Sequence, residues 1–486
     1  MDILNTSLFG SHTQVKLGVG YHNVGTGVLR ASNKATIDYV EEHYGQRCGH
    51  LPLDAQMVCV LVHAHSEEDD SHLKYLSLLY GKEIEAITSV ELQQQQGHIS
   101  ASHMLIVPYI NVPETEKRFR TDLGVESWGM SADMVSFLKN KADFYQFIDE
   151  FEFDGFRSPD YRIVHIADVT REALSFMNAI EDEMHEAGIS QYPLGVMLRA
   201  AESDGNYGCC LIYEERNRVM VVPNGDIAYA TYYSSWKEAL AVSQQHLTAT
   251  MDLQKETRVV ISRYIDMLDS PGMSVVIMDG QIESLGWNGQ LQQDGSKACI
   301  GTSTYKPANA LLAQLQNEYE GQTPDYFEAV LRRAAQKFGV DFASIRGVAN
   351  IDIMLPSELE AMLQKKRGYK PSHYVAECNP RWTNYTDAIM TVIGVNRKKQ
   401  TISNMKAVIQ EGIATFDKFY VPEDIDAQVV RECIFEKDEV LKQNGTRIIC
   451  RMAKKPMGLI FAGDIHKAQQ EIASIIHNLK TLSMRY

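Results

Sequence analysis

Short continuous apolar runs alternate with helix-period segments over the first 130 residues. Residues 57–62 and 104–110 are apolar runs of strand length, the first rich in valine, the second stopped around Pro108 and Pro113. Runs with no polar alternation suit strands covered on both faces, as in parallel sheets. Residues 36–44 and 70–80 carry helical periods between them. This stretch predicts an α/β unit.

The pattern then changes twice. Residues 131–151 read as helix, ended by Ser158-Pro159. Residues 170–187 form an amphipathic helix, with Ala173, Leu174, Met177, Ile180 and Met184 at helical spacing. Thr170 is placed to cap it and Gly188 to stop it. From 195 to 278 short strands follow, at 196–200, 209–213, 219–222, 258–265 and 274–278. The turn signals Asp204-Gly205, Asn224-Gly225 and Asp279-Gly280 predict antiparallel pairing. Helices return at 308–319 and 325–338, strands at 347–355 and 373–378. An amphipathic helix at 465–482 ends the chain, with Ile472, Ile475, Ile476, Leu479 and Leu482 on one side. The predicted division is 1–130, 131–270, 271–400 and a mixed or helical extension at 401–486.

Composition narrows the class. A chain of 486 residues fits about three domains. The formal charge of −16 repels phosphate backbones and anionic membranes, so neither nucleic acid nor membrane is an expected partner. There is no apolar stretch of spanning length, no basic-then-apolar leader and no Cys-x-x-Cys among the eight cysteines. A cytoplasmic protein with reduced thiols is expected.

Two segments carry the chemistry. If 347–355 and 373–378 are neighbouring strands, Asp352, Glu377 and Asn379 can share one face, since Glu377 and Asn379 are two residues apart. Two carboxylates and an amide oxygen are hard ligands suited to Mg²⁺ bridging nucleotide phosphates. Arg381 follows Pro380 and can hold a phosphate or carboxylate bidentately. Upstream, Arg199 precedes the turn Ser203-Asp204-Gly205-Asn206-Tyr207-Gly208. Backbone N–H groups of Ser203, Gly205 and Gly208 in such a loop can cradle phosphates. No Gly-x-x-x-x-Gly-Lys-Ser/Thr occurs.

With these residues the chain resembles the ATP-grasp superfamily. Asp352, Glu377 and Asn379 stand where its metal ligands would be, and 203–208 where its lid hairpin would be. Ser270-Pro271-Gly272-Met273-Ser274-Val275, Leu285-Gly286-Trp287-Asn288-Gly289-Gln290 and the turn around Asn140-Lys141 are similar to the pheganomycin-type peptide ligase branch, which carries a pre-ATP-grasp domain. The resemblance runs from about Pro108 to Gly394. It implies an N-terminal α/β pre-ATP-grasp domain, then antiparallel sheets sandwiching ATP, with Mg²⁺ or alternatively Mn²⁺. Lys141 and Arg199 would meet the phosphates, and 260–264, including Ser262 and Tyr264, would form the adenine hinge. Glu283 and Gln290 would face the site, and Arg381 and Arg199 would serve catalysis. Arg199 stands where the family usually has Lys, and Asn350 replaces an Arg of the D-alanine ligases.

The implied activity is a carboxylate–amine ligase that forms an amide through an acyl phosphate, with amino acids or peptides as substrates. An ATP-grasp phosphotransferase or carboxylase and a catalytically silent nucleotide-binding regulator are the alternatives. The tail helix could pair two copies into a homodimer. Gly18-Val19-Gly20 and Gly25-Thr26-Gly27 do not fit Gly-x-Gly-x-x-Gly and have no clear preceding strand. His63-Ala64-His65 reads as a strand end rather than a metal site.

Overall fold

The computed structural model describes residues 3–9, 15–29, 32, 34–35, 37–38, 40, 45–48, 50–151, 155–189, 193–204, 207–292, 299–370, 372–419, 421, 425–451 and 457–483. They form a mixed α/β structure of three sheets.

The first sheet has five parallel strands in the order Ile84–Ile87, Met57–Leu61, Leu17–Tyr21, Met104–Pro108, Glu126–Ser127. The two expected apolar runs are its neighbours of the central strand. That central strand, Leu17–Tyr21, contains Gly18 and Gly20 of the first glycine pair noted above. Their function is close packing: a Cβ on Gly20 would lie 2.1 Å from the Cys48 carbonyl oxygen, and one on Gly18 2.5 Å from Pro52 Cβ. The helical period at 36–44 falls largely outside the described residues, whereas that at 70–80 is helix Glu67–Tyr80, capped by Ser66. The chain leaves Leu17–Tyr21 toward one edge and returns at Met104–Pro108 on the other side. The crevice between the ends of those two strands is therefore the topological switch point, where open α/β sheets bind ligands.

The second sheet is antiparallel, in the order Thr231–Tyr233, Arg218–Pro223, Tyr207–Glu215, Gly195–Asp204, Arg258–Arg263, Tyr161–His165. Helices Val169–Glu186 and Trp236–Thr250 cover one face, burying Ala173, Met177, Ile180, Leu240 and Leu247 against Leu198, Ile212 and Ile261. Each large apolar side chain so buried contributes roughly 1.5–3 kcal/mol. Thr170 does not cap the first of these helices. Asp168 holds the cap position, and the Thr170 hydroxyl donates to Gln244 Oε1 at 2.5 Å. Asn224-Gly225 and Asp279-Gly280 make tight turns with φ between +51° and +72° at all four residues, whereas Gly205 lies outside the described residues.

The third sheet has ten strands. Its main path runs Arg447–Cys450, Met457–Ala462, Ile413–Phe419, Cys299–Thr304, Gln281–Gln292, Gly272–Met278, Gly347–Pro356, His373–Asn379, Phe156–Arg157, and Met267–Asp269 pairs with Gly347–Pro356 off this path. The run expected at 274–278 thus belongs here and not with the strands before it. Three strands come from beyond residue 401, where a mixed or helical extension was expected. They continue the sheet through the pairing of Ala414 with Ser303, and helix Ile465–Ser483 packs behind them. The expected helix at 131–151 is two, Ala132–Lys139 and Lys141–Asp149, broken at Asn140. The uncovered face of the second sheet joins the main core through Ala201 and Val260, which cluster with Val375 and Cys378 of the third.

Candidate active site

The site grows from strand registry. Asn288, Gly272, Asp352 and Glu377 lie side by side on four adjacent strands, and Ser274, Asn350 and Asn379 form the next row on the same face. A polar stripe therefore crosses a sheet whose other face is apolar. Gly272 is required in it. A Cβ there would lie 2.8 Å from both Asn350 Oδ1 and Asp352 Oδ1 and 2.9 Å from Asn288 Nδ2. The Ser274 hydroxyl lies 3.1 Å from the amide oxygens of Asn288 and Asn350, and Asn350 Nδ2 donates to Asp352 Oδ1 at 2.7 Å.

The second sheet and the helix before it supply cations. Asn140 ends one helix and caps the next, accepting from the N–H groups of Ala142 and Asp143. That break starts the second helix at Lys141, whose Nζ lies 3.0 Å from Glu377 Oε2 and also donates to the Ser203 carbonyl. Across the cleft, Arg199 reaches Ala376. Between Asp352 and Ile353 the ladder to Glu377 and Val375 slips by one residue, so Ala376 is bulged. Its freed carbonyl accepts from Arg199 Nη1 at 3.1 Å and from Tyr145 Oη at 2.8 Å. Tyr145 also accepts from Arg199 Nη2. Nothing in the residue order marked Tyr145 beyond its place on the helix that begins at Lys141.

The two carboxylates are pushed apart. Burial and the adjacent Glu377 raise the Asp352 carboxyl well above the usual carboxylate range. Burial would also raise Glu377, but Lys141 and Arg199 outweigh it and hold that group low. Asn379 Nδ2 donates to Asp352 Oδ2 at 3.1 Å and to Glu377 Oε1 at 3.3 Å, while its oxygen accepts from Arg381 Nη2 at 3.0 Å. Arg381 also donates to the Trp382 carbonyl at 2.9 Å and to Tyr109 Oη at 3.4 Å. A cation entering between Asp352 and Glu377 relieves their repulsion, and an amide turned at Asn379 presents its oxygen to it. Two carboxylates and one amide leave most of an octahedron to water and phosphate, as Mg²⁺ prefers. Among the described residues no cluster of three His, Cys, Asp or Glu side chains forms a fuller cage. His65 is engaged with Glu91 at 2.9 Å.

The remaining expected residues fall as follows. Ser262 is buried, opposite Met197 and Tyr161, with its hydroxyl 3.5 Å from the Met197 carbonyl. Tyr264 follows that strand and stacks on Tyr213 at 5.8 Å. Gln290 is exposed, opposite Thr302 and on the face of Asn288. Gly208 takes φ +71° at the start of its strand. Glu283 is not brought to the carboxylates. It lies opposite Val276, four residues and about 13 Å along the strand from Gly272, and pairs with Lys406 at 2.8 Å.

A second polar cluster adjoins Arg381 and was not foreseen. It fills the switch-point crevice of the first sheet. The His22 and Tyr109 rings lie 4.5 Å apart at the ends of the two central strands. His50 Nε2 lies 2.5 Å from Asp387 Oδ1, Arg451 pairs with the other Asp387 oxygen, and Arg47 donates to Asn384 at 3.3 Å. Burial, followed by the nearby Arg47 and Arg451, keeps both histidines neutral. Sequence separations of more than 300 residues hid this cluster.

No helix among the described residues is long and apolar enough to cross a membrane. No family model and no curated protein matches the chain. Solved structures resemble it in overall architecture. An N5-carboxyaminoimidazole synthase from Aspergillus clavatus, in complex with ADP and 5-aminoimidazole ribonucleotide, is 12% identical, with a TM-score of 0.49 over 97% of this chain and 100% of that one. A biotin carboxylase from Campylobacter jejuni is 12% identical, with a TM-score of 0.48 over 95% and 90%. A phosphoribosylamine–glycine ligase from Thermotoga maritima is 8% identical, with a TM-score of 0.48 over 95% and 96%. At such identities and scores the likeness says nothing of substrates or residue roles.

Proposed function

We propose that the protein is an ATP-dependent ligase of the ATP-grasp kind, joining a carboxylate to an amine. One observation carries the reading: the unequal carboxylate pair Asp352–Glu377 on one sheet faces Lys141 and Arg199 from across a cleft. That is a site shaped for polyphosphate and a divalent cation. Asp352, Glu377 and Asn379 would hold Mg²⁺, which neutralises charge on the transferring phosphoryl group.

Lys141 and Arg199 would exchange their present partners for phosphate oxygens. The substrate carboxylate attacks the γ-phosphorus, the bond to the β-phosphate oxygen breaks, and ADP leaves. Arg381, one residue from the Asn379-Pro380 pair, steadies the acyl phosphate. The amine then attacks the acyl carbon, loses a proton, and phosphate departs. No side-chain nucleophile enters, so positioning and exclusion of water carry the rate.

The test is ADP and phosphate release with Mg²⁺-ATP against amino acids, singly and in pairs, with bicarbonate included. Release that requires an acid and an amine together supports the ligase. Release with a single acceptor or with bicarbonate replaces it by the phosphotransferase or carboxylase reading. Binding of ATP without turnover in any mixture replaces it by the regulatory one.

A further inference from the structure

An open groove of about 970 Å³ lies away from the carboxylate row, where helix Val169–Glu186, strand Tyr161–His165 and the turn at Arg367–Tyr369 meet. Its volume is that of a small-molecule site. Most charges in it are already matched. Arg367 donates to Asp160 at 2.6 Å and clasps Glu183, and Asp160 also accepts from Arg263 at 2.8 Å. Arg162 is turned to Glu172 and lies over the Phe176 ring.

Two groups are not matched. The Arg157 side chain has no hydrogen bond or ion pair among the described residues. Its Nε is buried without a partner, and its guanidinium lies 3.7 Å from the centre of the Tyr369 ring. Asp149 accepts from the Ser158 hydroxyl at 2.5 Å and meets the Tyr161 hydroxyl, but among the described residues no cation pairs with it. Both line the same groove, yet they do not pair with each other. A partly buried guanidinium without an anion is costly unless a ligand supplies one. A lone anion would satisfy Arg157 and face Asp149 unfavourably; a lone amine would do the reverse. A zwitterion answers both at once. Phe176, Ala179 and Ile180 add an apolar wall for a side chain.

We propose that this groove binds a free α-amino acid, its carboxylate on Arg157, its ammonium on Asp149 and its side chain against Phe176 and Ile180. The assignment is independent of the ligase reading, since none of these residues belongs to the carboxylate row.

Isothermal titration of the full chain with free L-amino acids, their N-acetyl derivatives and the matching amines tests it. At least one apolar amino acid is expected to bind, with its N-acetyl derivative and its amine each at least tenfold weaker. Arg157→Gln and Asp149→Asn are each expected to weaken binding at least tenfold, with unchanged circular dichroism and ADP binding. Arg157→Lys keeps the charge and retains binding within several-fold, which separates a lost contact from a damaged fold. Glu377→Gln leaves the titration unchanged. Failure of every amino acid to bind overturns the proposal. So does binding that survives Arg157→Gln and disappears in Glu377→Gln, which puts the ligand in the carboxylate row instead.

Discussion

Two charged clusters of this protein are built to opposite rules. Around Arg263 every charge is met. Arg263 and Glu360 are both fully buried and joined by two hydrogen bonds, at 2.9 and 2.6 Å. The Tyr374 hydroxyl donates to Glu360 at 2.6 Å, and Asp160 and Arg367 extend the chain to Glu183. Around Asp352 the account is left open. Lys141 serves Glu377, while Asp352 accepts from the Asn350 and Asn379 amides and shares a hydrogen bond with Glu377. The first cluster spends its charges on fixing the root of the second sheet against the third. The second sets two buried carboxylates side by side, the arrangement on which the proposed cation site rests.

The largest separation between the two is kinetic. On the ligase reading, Glu377→Gln is expected to reduce ATP turnover about 10³-fold or more, with an unchanged circular dichroism spectrum, because it removes the charge proposed to position phosphate and metal. An active Glu377→Gln protein would sink the metal assignment. Next comes stability. Glu360→Gln leaves the buried Arg263 guanidinium with Asp160 as its one carboxylate partner among the described residues and is expected to lower unfolding free energy by about 2–3 kcal/mol in urea titrations, while Arg263→Met with Glu360→Leu regains most of it. An equal loss from the double variant would mean that the wider network, and not the pair, holds the sheet.

A smaller effect lies in pH. The Asp352 carboxyl is raised in the folded chain, so the folded state binds its proton over a range where the unfolded chain has released it. Stability from this group is present below the ordinary carboxylate range and is lost as pH rises toward the folded value. Glu377 has the opposite sign: its contribution is present above the ordinary range and is lost as pH falls through its lowered value. Asp352→Asn is expected to flatten the decline at rising pH, an effect on the order of 1–2 kcal/mol in melts without Mg²⁺ or nucleotide. An unchanged slope would assign the decline to other groups. The smallest change is Tyr145→Phe. It removes one hydroxyl from the Ala376 carbonyl and is expected to cost about 1 kcal/mol by urea titration.

Much of this was legible in the residue order. Period-two placement of Glu377 and Asn379, and apolar neighbours on both strands, located the carboxylate row before any coordinates. The positive-φ turns at Asn224-Gly225 and Asp279-Gly280 were equally plain. What failed was non-local. Leu17–Tyr21 has two glycines in five residues and owes its strand to partners on both sides. Ile413–Phe419 and Met457–Ala462 gain their identity from a sheet already built by earlier strands of the chain. Asn140 fell inside a segment read as one helix, and only the family resemblance marked a turn there; its capping bonds run just two and three residues ahead. His50 and Asp387 are neighbours only in space.

Gly272 shows how narrow the tolerance of the carboxylate row is. The side chain it lacks is the room in which Asn288, Asn350 and Asp352 converge. A single methyl group would have to displace one of them. Alanine at this position is thus a one-carbon wedge: it would leave charge, hydrophobic core and hydrogen-bonding groups all present, and pry apart only their alignment. Information about the chemistry of the site is stored here as an absence. A survey that looks for functional side chains would pass over it.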